Sequence, residues 1–154
     1  MSAIESRNYP GKRRSRDTRF TATIQLLRSA AREAGQARGR FEIYKFLRAV
    51  HRVHIGWKQR QIARTSARAL AADLAITLRR GMSPIRILIE AAQPNADVKQ
   101  KSRWVRALEH ASSENVPVKQ FRKFIRANGG LAGCARLAAQ LNRKRRRPGG
   151  DWND

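Results

Sequence analysis

Basic side chains recur at three- and four-residue steps in the middle of this 154-residue chain. Six of them form two stripes at helical spacing: Lys45, Arg48 and Arg52, then Arg60, Arg64 and Arg68. Like charges at this spacing destabilise an isolated helix by about 0.2–0.5 kcal/mol per pair. The planar guanidinium pairs with phosphate oxygens through two parallel hydrogen bonds. We therefore interpret both stripes as a phosphate-facing surface; the alternative is an ordinary solvated face in an Arg-rich protein.

Two further basic clusters lie near the ends of the chain. They consist of Arg13, Arg14 and Arg16, and of Arg143, Lys144, Arg145, Arg146 and Arg147. Basic arms can enter a minor groove or follow phosphates, and they order on binding. We predict a flexible basic arm over residues 1–17 and a basic, then polar, tail over residues 143–154, both contacting nucleic acid. The alternatives are a contribution to solubility alone or a localisation signal.

Residues that could catalyse a reaction are few and scattered. His51 and His54 lie one helical turn apart, a spacing that suits two metal ligands, but no cysteine pair or acidic cluster accompanies them. Acidic residues occur singly, which is unlike the carboxylate set of a two-metal nuclease. Cys134 has Ala and Leu neighbours and is typical of a small core residue. The sequence therefore predicts no enzyme, no metal site and no cofactor.

The overall composition points to an anionic partner. Lys and Arg number 34 against 11 Asp and Glu, a formal net charge of +23. Residues 21–142 contain 23 basic and 7 acidic groups, so the body of the protein keeps +16. Repulsion among these charges should leave the folded state of the isolated protein only marginally stable. An anion that binds only the folded form would stabilise it.

Cysteine usage and hydropathy indicate the compartment. The single cysteine, Cys134, permits no internal disulfide and fits a reducing environment. The longest apolar run, residues 69–72, is far below the ~20 residues that span a bilayer. We expect a protein of the cytoplasm or the nucleoid, with no membrane span.

Apolar residues at helical spacing predict the elements that position these side chains. We expect an all-α, compact bundle of about six or seven short-to-medium helices, forming a single domain over residues 18–142. The helices are predicted to begin near Thr18, Arg40, Trp57, Pro84, Asn95, Pro117 and Leu131. The third of them is expected to run from Trp57 to Arg80, since its apolar stripe continues to Leu78 and Gly81 follows.

Residues 27–44 resemble the helix-turn-helix of many bacterial repressors. The likeness lies in a small Ala inside the first helix, Gly35 at the turn, and Phe41 as an apolar anchor of the second helix. The resemblance implies base-edge contacts by Arg38 and Arg40 near the start of that second helix. The alternative is an ordinary helical hairpin.

Residues 121–141 are similar to the start of the Fis-type DNA-binding domain, with a helix, a Gly129-Gly130 turn and an Ala-rich helix. In that family a third, recognition helix follows. Here the corresponding stretch, Asn142 to Arg147, is too short for one before Pro148. The alternative is a hairpin closed by glycine.

These features together predict a nucleic-acid-binding protein. Aromatic residues are few, and none forms the exposed platform of single-strand binders. We therefore expect duplex DNA as the partner, for a transcriptional regulator or an accessory factor of a plasmid, phage or chromosome-maintenance system. The alternatives are an RNA-binding or ribonucleoprotein subunit, and an interaction protein that docks an acidic protein partner or an anionic membrane surface. The sequence is also compatible with a homo-oligomer.

Overall fold

In the computed structural model, residues 14–36 and 40–146 are described, and within these ranges the chain forms seven α-helices, one 3₁₀ turn and no strand. The helices are α1 (Arg14–Gln36), α2 (Arg40–Gln59), α3 (Ala63–Asp73), α4 (Pro84–Ala92), α5 (Val98–Ser113), α6 (Phe121–Ala127) and α7 (Gly130–Arg146). The 3₁₀ turn is Val118–Gln120. The predicted all-α bundle is confirmed.

Helix α4 lies at the centre of the bundle. Ile85, Ile87, Leu88 and Ile89 are all buried, and the helix contacts α1, α2, α3 and α5. The charged residues of α4, Arg86 and Glu90, are half-buried and pair with each other at 3.1 Å. Helices α1, α2, α3 and α5 therefore surround the apolar part of α4.

The sequence predicted the start of α4 but not that of α5. Ser83 caps α4, since its hydroxyl accepts a hydrogen bond from the Arg86 amide at 3.2 Å, and Pro84 occupies the first helical position. The sequence predicted a helix start near Asn95, a residue type that can cap a helix, but α5 begins at Val98. The cap is Asp97, whose carboxylate accepts from the Gln100 amide at 3.1 Å. Both residue types suit a cap, and only the backbone geometry distinguishes them.

The predicted helix from Trp57 to Arg80 is also wrong. Trp57 belongs to α2, which ends at Gln59, and α3 ends at Asp73. A left-handed residue follows each end, Gln61 (φ 57°) after α2 and Ala75 (φ 53°) after α3. Each end is a Schellman motif: the Ile62 amide bonds to the Trp57 carbonyl and the Ile76 amide to the Ala71 carbonyl, both at 2.9 Å. Glycine is the usual residue at such positions. Its absence concealed both helix ends in the sequence.

Helices α1 and α2 form a long antiparallel hairpin rather than a helix-turn-helix. The rings of Phe20, near the start of α1, and Trp57, near the end of α2, have centroids 6.4 Å apart. The helices of a helix-turn-helix cross at about 90–120°, which separates their distal ends. The repressor-like interpretation of residues 27–44 is therefore wrong, and the hairpin alternative describes the fold.

Helices α6 and α7 form the glycine-closed hairpin. Gly129 and Gly130 have positive φ angles of 84° and 76°. Residues Asn142 to Arg146 continue α7, so no third helix follows within the described residues. At the other end of the chain, α1 begins at Arg14, so helix extends into both segments that the sequence assigned to the arms.

Candidate nucleic-acid interface

Helix α2 has one face in the core and one in solvent. Phe46, Leu47 and Val50 are fully buried, whereas the three residues of its basic stripe are exposed: Lys45, Arg48 and Arg52. We call these three residues the α2 stripe. Because the apolar face fixes the rotation of the helix, the three cations must point away from the core.

The end of α5, the start of α6 and the segment between them fix the position of α2. Lys58 donates to the Ser112 carbonyl at 2.9 Å, near the end of α2. Two helical turns before Lys58, His51 Nε2 donates to the Val116 carbonyl at 2.8 Å. The His51 ring also stacks on Phe121, with centroids 5.0 Å apart. These contacts hold α2 along residues 112–121.

Arg122 adds a fourth cation to the exposed face of α2. Its guanidinium carbon lies 4.4 Å from the centre of the Phe41 ring. Phe41 precedes Lys45 and Arg48 by four and seven residues, so all three share one helical face. We call the α2 stripe together with Arg122 the α2 surface. Phe41 is 51% exposed, so the expectation that it anchors its helix in the core is wrong.

The charges of the α2 surface are almost uncompensated. Glu42 pairs with Lys45 at 3.1 Å, but the Lys45 side chain is 70% exposed, and such pairs contribute about 0.2–1 kcal/mol. Arg48, Arg52 and Arg122 have no acidic partner within the described part of the chain. The surface therefore presents a cationic face to solvent.

The three residues of the second predicted stripe, Arg60, Arg64 and Arg68, do not all lie on one helix. Arg60 lies at the junction between α2 and α3, where its Nε donates to the Gly56 carbonyl at 3.2 Å. Arg64 and Arg68 are exposed on α3. They line a different concavity from the α2 surface, because none of the four α2-surface residues borders it.

This concavity contains two arginines that the sequence analysis had not assigned to a site. It has a volume of about 540 Å³ and lies between α3, the 74–83 loop and the start of α4. Arg79 and Arg80, interpreted from the sequence as the last turn of a helix, belong to that loop and line the same concavity as Arg64 and Arg68. We call these four residues the arginine groove. The Arg-Arg-Gly triplet was its only sequence signal.

The remaining predicted contacts lie at the helix ends or beyond the described residues. Arg143, Lys144, Arg145 and Arg146 are exposed in the last turn of α7, where cations also interact favourably with the helix C-terminus. Of Arg14, Arg16 and Arg40 only the backbone is described, as part of α1 and α2. Arg13, Arg38 and Arg147 lie outside the described residues.

The two histidines of α2 belong to the core. His51 and His54 are buried, and the Ser112 hydroxyl lies 3.3 Å from His54 Nδ1. Burial lowers the pKa of His51, and burial followed by the charges of His51 and Lys58 lowers the pKa of His54 to about 4. Both imidazoles are therefore neutral near pH 7 and add no charge to the α2 surface.

The described residues contain no group of three His, Cys, Asp or Glu side chains that could hold a metal ion. Cys134 is fully buried, as expected of a core residue, and burial raises its thiol pKa to about 11. None of the described helices is long and apolar enough to cross a bilayer. Comparison with protein families, with curated proteins and with solved structures finds no match to this chain.

Proposed function

We propose that this protein binds duplex DNA through the α2 surface. The observation that supports the proposal is the arrangement of Lys45, Arg48 and Arg52 on one exposed face of a helix whose opposite face is fully buried. Within the described residues Glu42 is the one carboxylate paired with this row, so the row provides a fixed electrostatic surface for a polyanion.

The dimensions of the α2 stripe suit a nucleic-acid backbone. Seven residues separate Lys45 from Arg52, which corresponds to an axial rise of about 10 Å in an α-helix. This length is close to about three base-pair steps of B-DNA, at 3.4 Å each. The guanidinium groups of Arg48 and Arg52 can each bind phosphate oxygens through two parallel hydrogen bonds.

The aromatic residues favour a duplex over a single strand. Single-strand binders stack successive bases on exposed aromatic rings. Within the described residues, Phe41 is the one aromatic residue with a largely exposed side chain, and Arg122 already lies over its ring. A surface of cations without free aromatic rings suits contacts to phosphates rather than stacking.

Binding to labelled duplex DNA over a range of salt concentrations tests the proposal. If the α2 surface and the basic helix ends neutralise ~6–10 phosphates, affinity should fall by ~10³–10⁵ between about 50 and 200 mM salt. Competition with a structured RNA of equal length at fixed salt then compares the two polymers. A salt slope near zero would overturn the proposal, and preferential displacement by RNA would overturn its assignment to DNA.

A further inference from the structure

The arginine groove is a built concavity whose walls come from three parts of the chain. Arg64 and Arg68 stand one turn apart on α3, and Arg79 and Arg80 approach from the 74–83 loop. The loop is closed there by a turn in which the Met82 amide donates to the Arg79 carbonyl at 3.1 Å. That turn needs Gly81, whose φ of 77° is in the left-handed region.

The groove gathers four cations without a single acidic residue in its lining. Within the described residues, none of the four arginines forms an ion pair. Arg79 and Arg80 also line the neighbouring cavity, together with the carboxylates Glu90 and Glu109. Glu90 is paired there with Arg86 at 3.1 Å and Lys101 at 2.8 Å. The clustered charges repel one another, and a multivalent anion between them would replace that repulsion with attraction.

The shape of the groove indicates a compact ligand. Its volume of about 540 Å³ lies within the roughly 300–1,000 Å³ typical of small-molecule clefts. Ser83 and Pro84, at the start of α4, border the same space. Leu78, Met82 and Ile87 supply an apolar part of the wall.

We propose that the arginine groove binds an oligophosphate, the di- or triphosphate chain of a free nucleotide or of a nucleic-acid 5′ end. One backbone phosphodiester has a single negative charge and leaves most of the four arginines unsatisfied. A triphosphate has a charge of about −4 and many acceptor oxygens for forked guanidinium donors. The apolar wall suits the nucleoside or base next to that chain.

The oligophosphate site is separate from the α2 surface. Lys45, Arg48, Arg52 and Arg122 do not line the groove. Duplex binding through the α2 surface could therefore fail while the groove binds oligophosphate, and the reverse also holds. Variants confined to one region distinguish the two failures.

Isothermal titration calorimetry tests the inference. The full chain is first treated with nuclease, and the titration is run at about 150 mM salt to screen weak surface contacts. The probes are inorganic tripolyphosphate, orthophosphate, a nucleoside triphosphate, and one oligonucleotide with either a 5′-triphosphate or a 5′-hydroxyl. We expect saturable one-to-one binding of every triphosphate probe and much weaker binding of orthophosphate. Tighter binding of the free nucleotide than of the phosphorylated oligonucleotide assigns the site to nucleotides, and the opposite order assigns it to nucleic-acid ends.

Matched variants locate the binding. Arg79→Gln/Arg80→Gln removes two charges from an exposed loop and should weaken tripolyphosphate binding about 10- to 100-fold, because two forked contacts are lost. The control, Arg103→Gln/Arg106→Gln, removes the same charge from exposed positions of α5, outside the groove, and should change binding by no more than about twofold.

A third variant tests the other wall of the groove, so that the result does not depend on the loop substitutions alone. Arg64→Gln/Arg68→Gln acts from α3 and should cause a loss of binding similar to that of the loop variant, with helical circular dichroism unchanged, because Gln is a good helix former. Equal weakening by the α5 control, loss through only one wall of the groove, or the absence of saturable triphosphate binding would overturn the inference.

Discussion

The guanidinium of Arg122 lies over the ring of Phe41, with 4.4 Å between its carbon and the ring centre. This contact joins α6 to the start of α2 on the solvent side of the bundle. Arg122 thereby joins the helix face that carries Lys45 and Arg48, although more than 70 residues separate it from them in the chain. The cationic face thus depends on tertiary packing as well as on helical spacing.

A double-mutant cycle on Phe41→Ala and Arg122→Ala measures this contact. A cation–π pair at an exposed site contributes about 0.5–1 kcal/mol to the free energy of unfolding. We expect a coupling energy of that size in urea denaturation, and a smaller coupling when Arg122→Lys replaces Arg122→Ala. Strictly additive single-variant effects would show that the ring and the guanidinium do not stabilise each other.

The buried histidines of α2 predict a loss of stability in acid. The folded-state pKa of His51 is below its ordinary value of 6.5, and that of His54 is about 4, so the unfolded chain binds protons more readily. Their contribution to stability is complete above about pH 6.5 and is lost as the pH falls toward 4.

The free energy of unfolding should therefore be measured from pH 7 to 4. His54→Gln removes one of the two titrating groups, so its stability should fall less steeply than that of the parent protein over this range. Carboxylates titrate equally in both proteins, and the difference between the curves isolates the histidine. Parallel curves would contradict the assignment of His54 as a buried neutral imidazole.

The close approach of α7 to the preceding turn predicts a strong effect at Gly133. A Cβ at this position would overlap the carbonyl oxygen of Asn128, which is backbone and cannot rotate away. We expect Gly133→Ala to destabilise the protein by about 1–3 kcal/mol, as overpacking does in other cores.

Gly56→Ala is the matched control for that substitution. Gly56 lies within α2, and its nearest neighbour for a new Cβ is the mobile end of Arg60 at 3.9 Å. Alanine there should be neutral or stabilise by about 0.5–1 kcal/mol, because glycine is a poor helix former. Thermal unfolding of both variants tests the comparison, and equal destabilisation would contradict the structural distinction.

Local signals explain which parts of the fold could be predicted from the sequence. The start of α4 is encoded within a few residues by Ser83 and Pro84, so it could be found. The ends of α2, α3 and α5 depend on left-handed conformations at Gln61, Ala75 and Asn115. Two of these residue types, Gln and Ala, rarely adopt that conformation, and tertiary packing rather than local preference must select it.

The candidate sites show the same limit. The α2 stripe follows from helical spacing alone, because residues three and four apart share a face. Arg122 joins it, and Arg79 lines one concavity with Arg64, only through packing between different elements of the chain. A charge count cannot reveal such neighbours, since nearly every segment of this sequence is basic.

The most direct test of the central proposal is the salt dependence of duplex-DNA binding by Arg48→Gln/Arg52→Gln, compared with the charge-matched control Arg103→Gln/Arg106→Gln. Each phosphate contact contributes about 0.9 to the slope of log affinity against log salt, so the α2 variant should reduce the slope by about 2. The α5 control should keep the parent slope. Equal reductions in both variants, or an unchanged slope in the α2 variant, would contradict binding through the α2 surface.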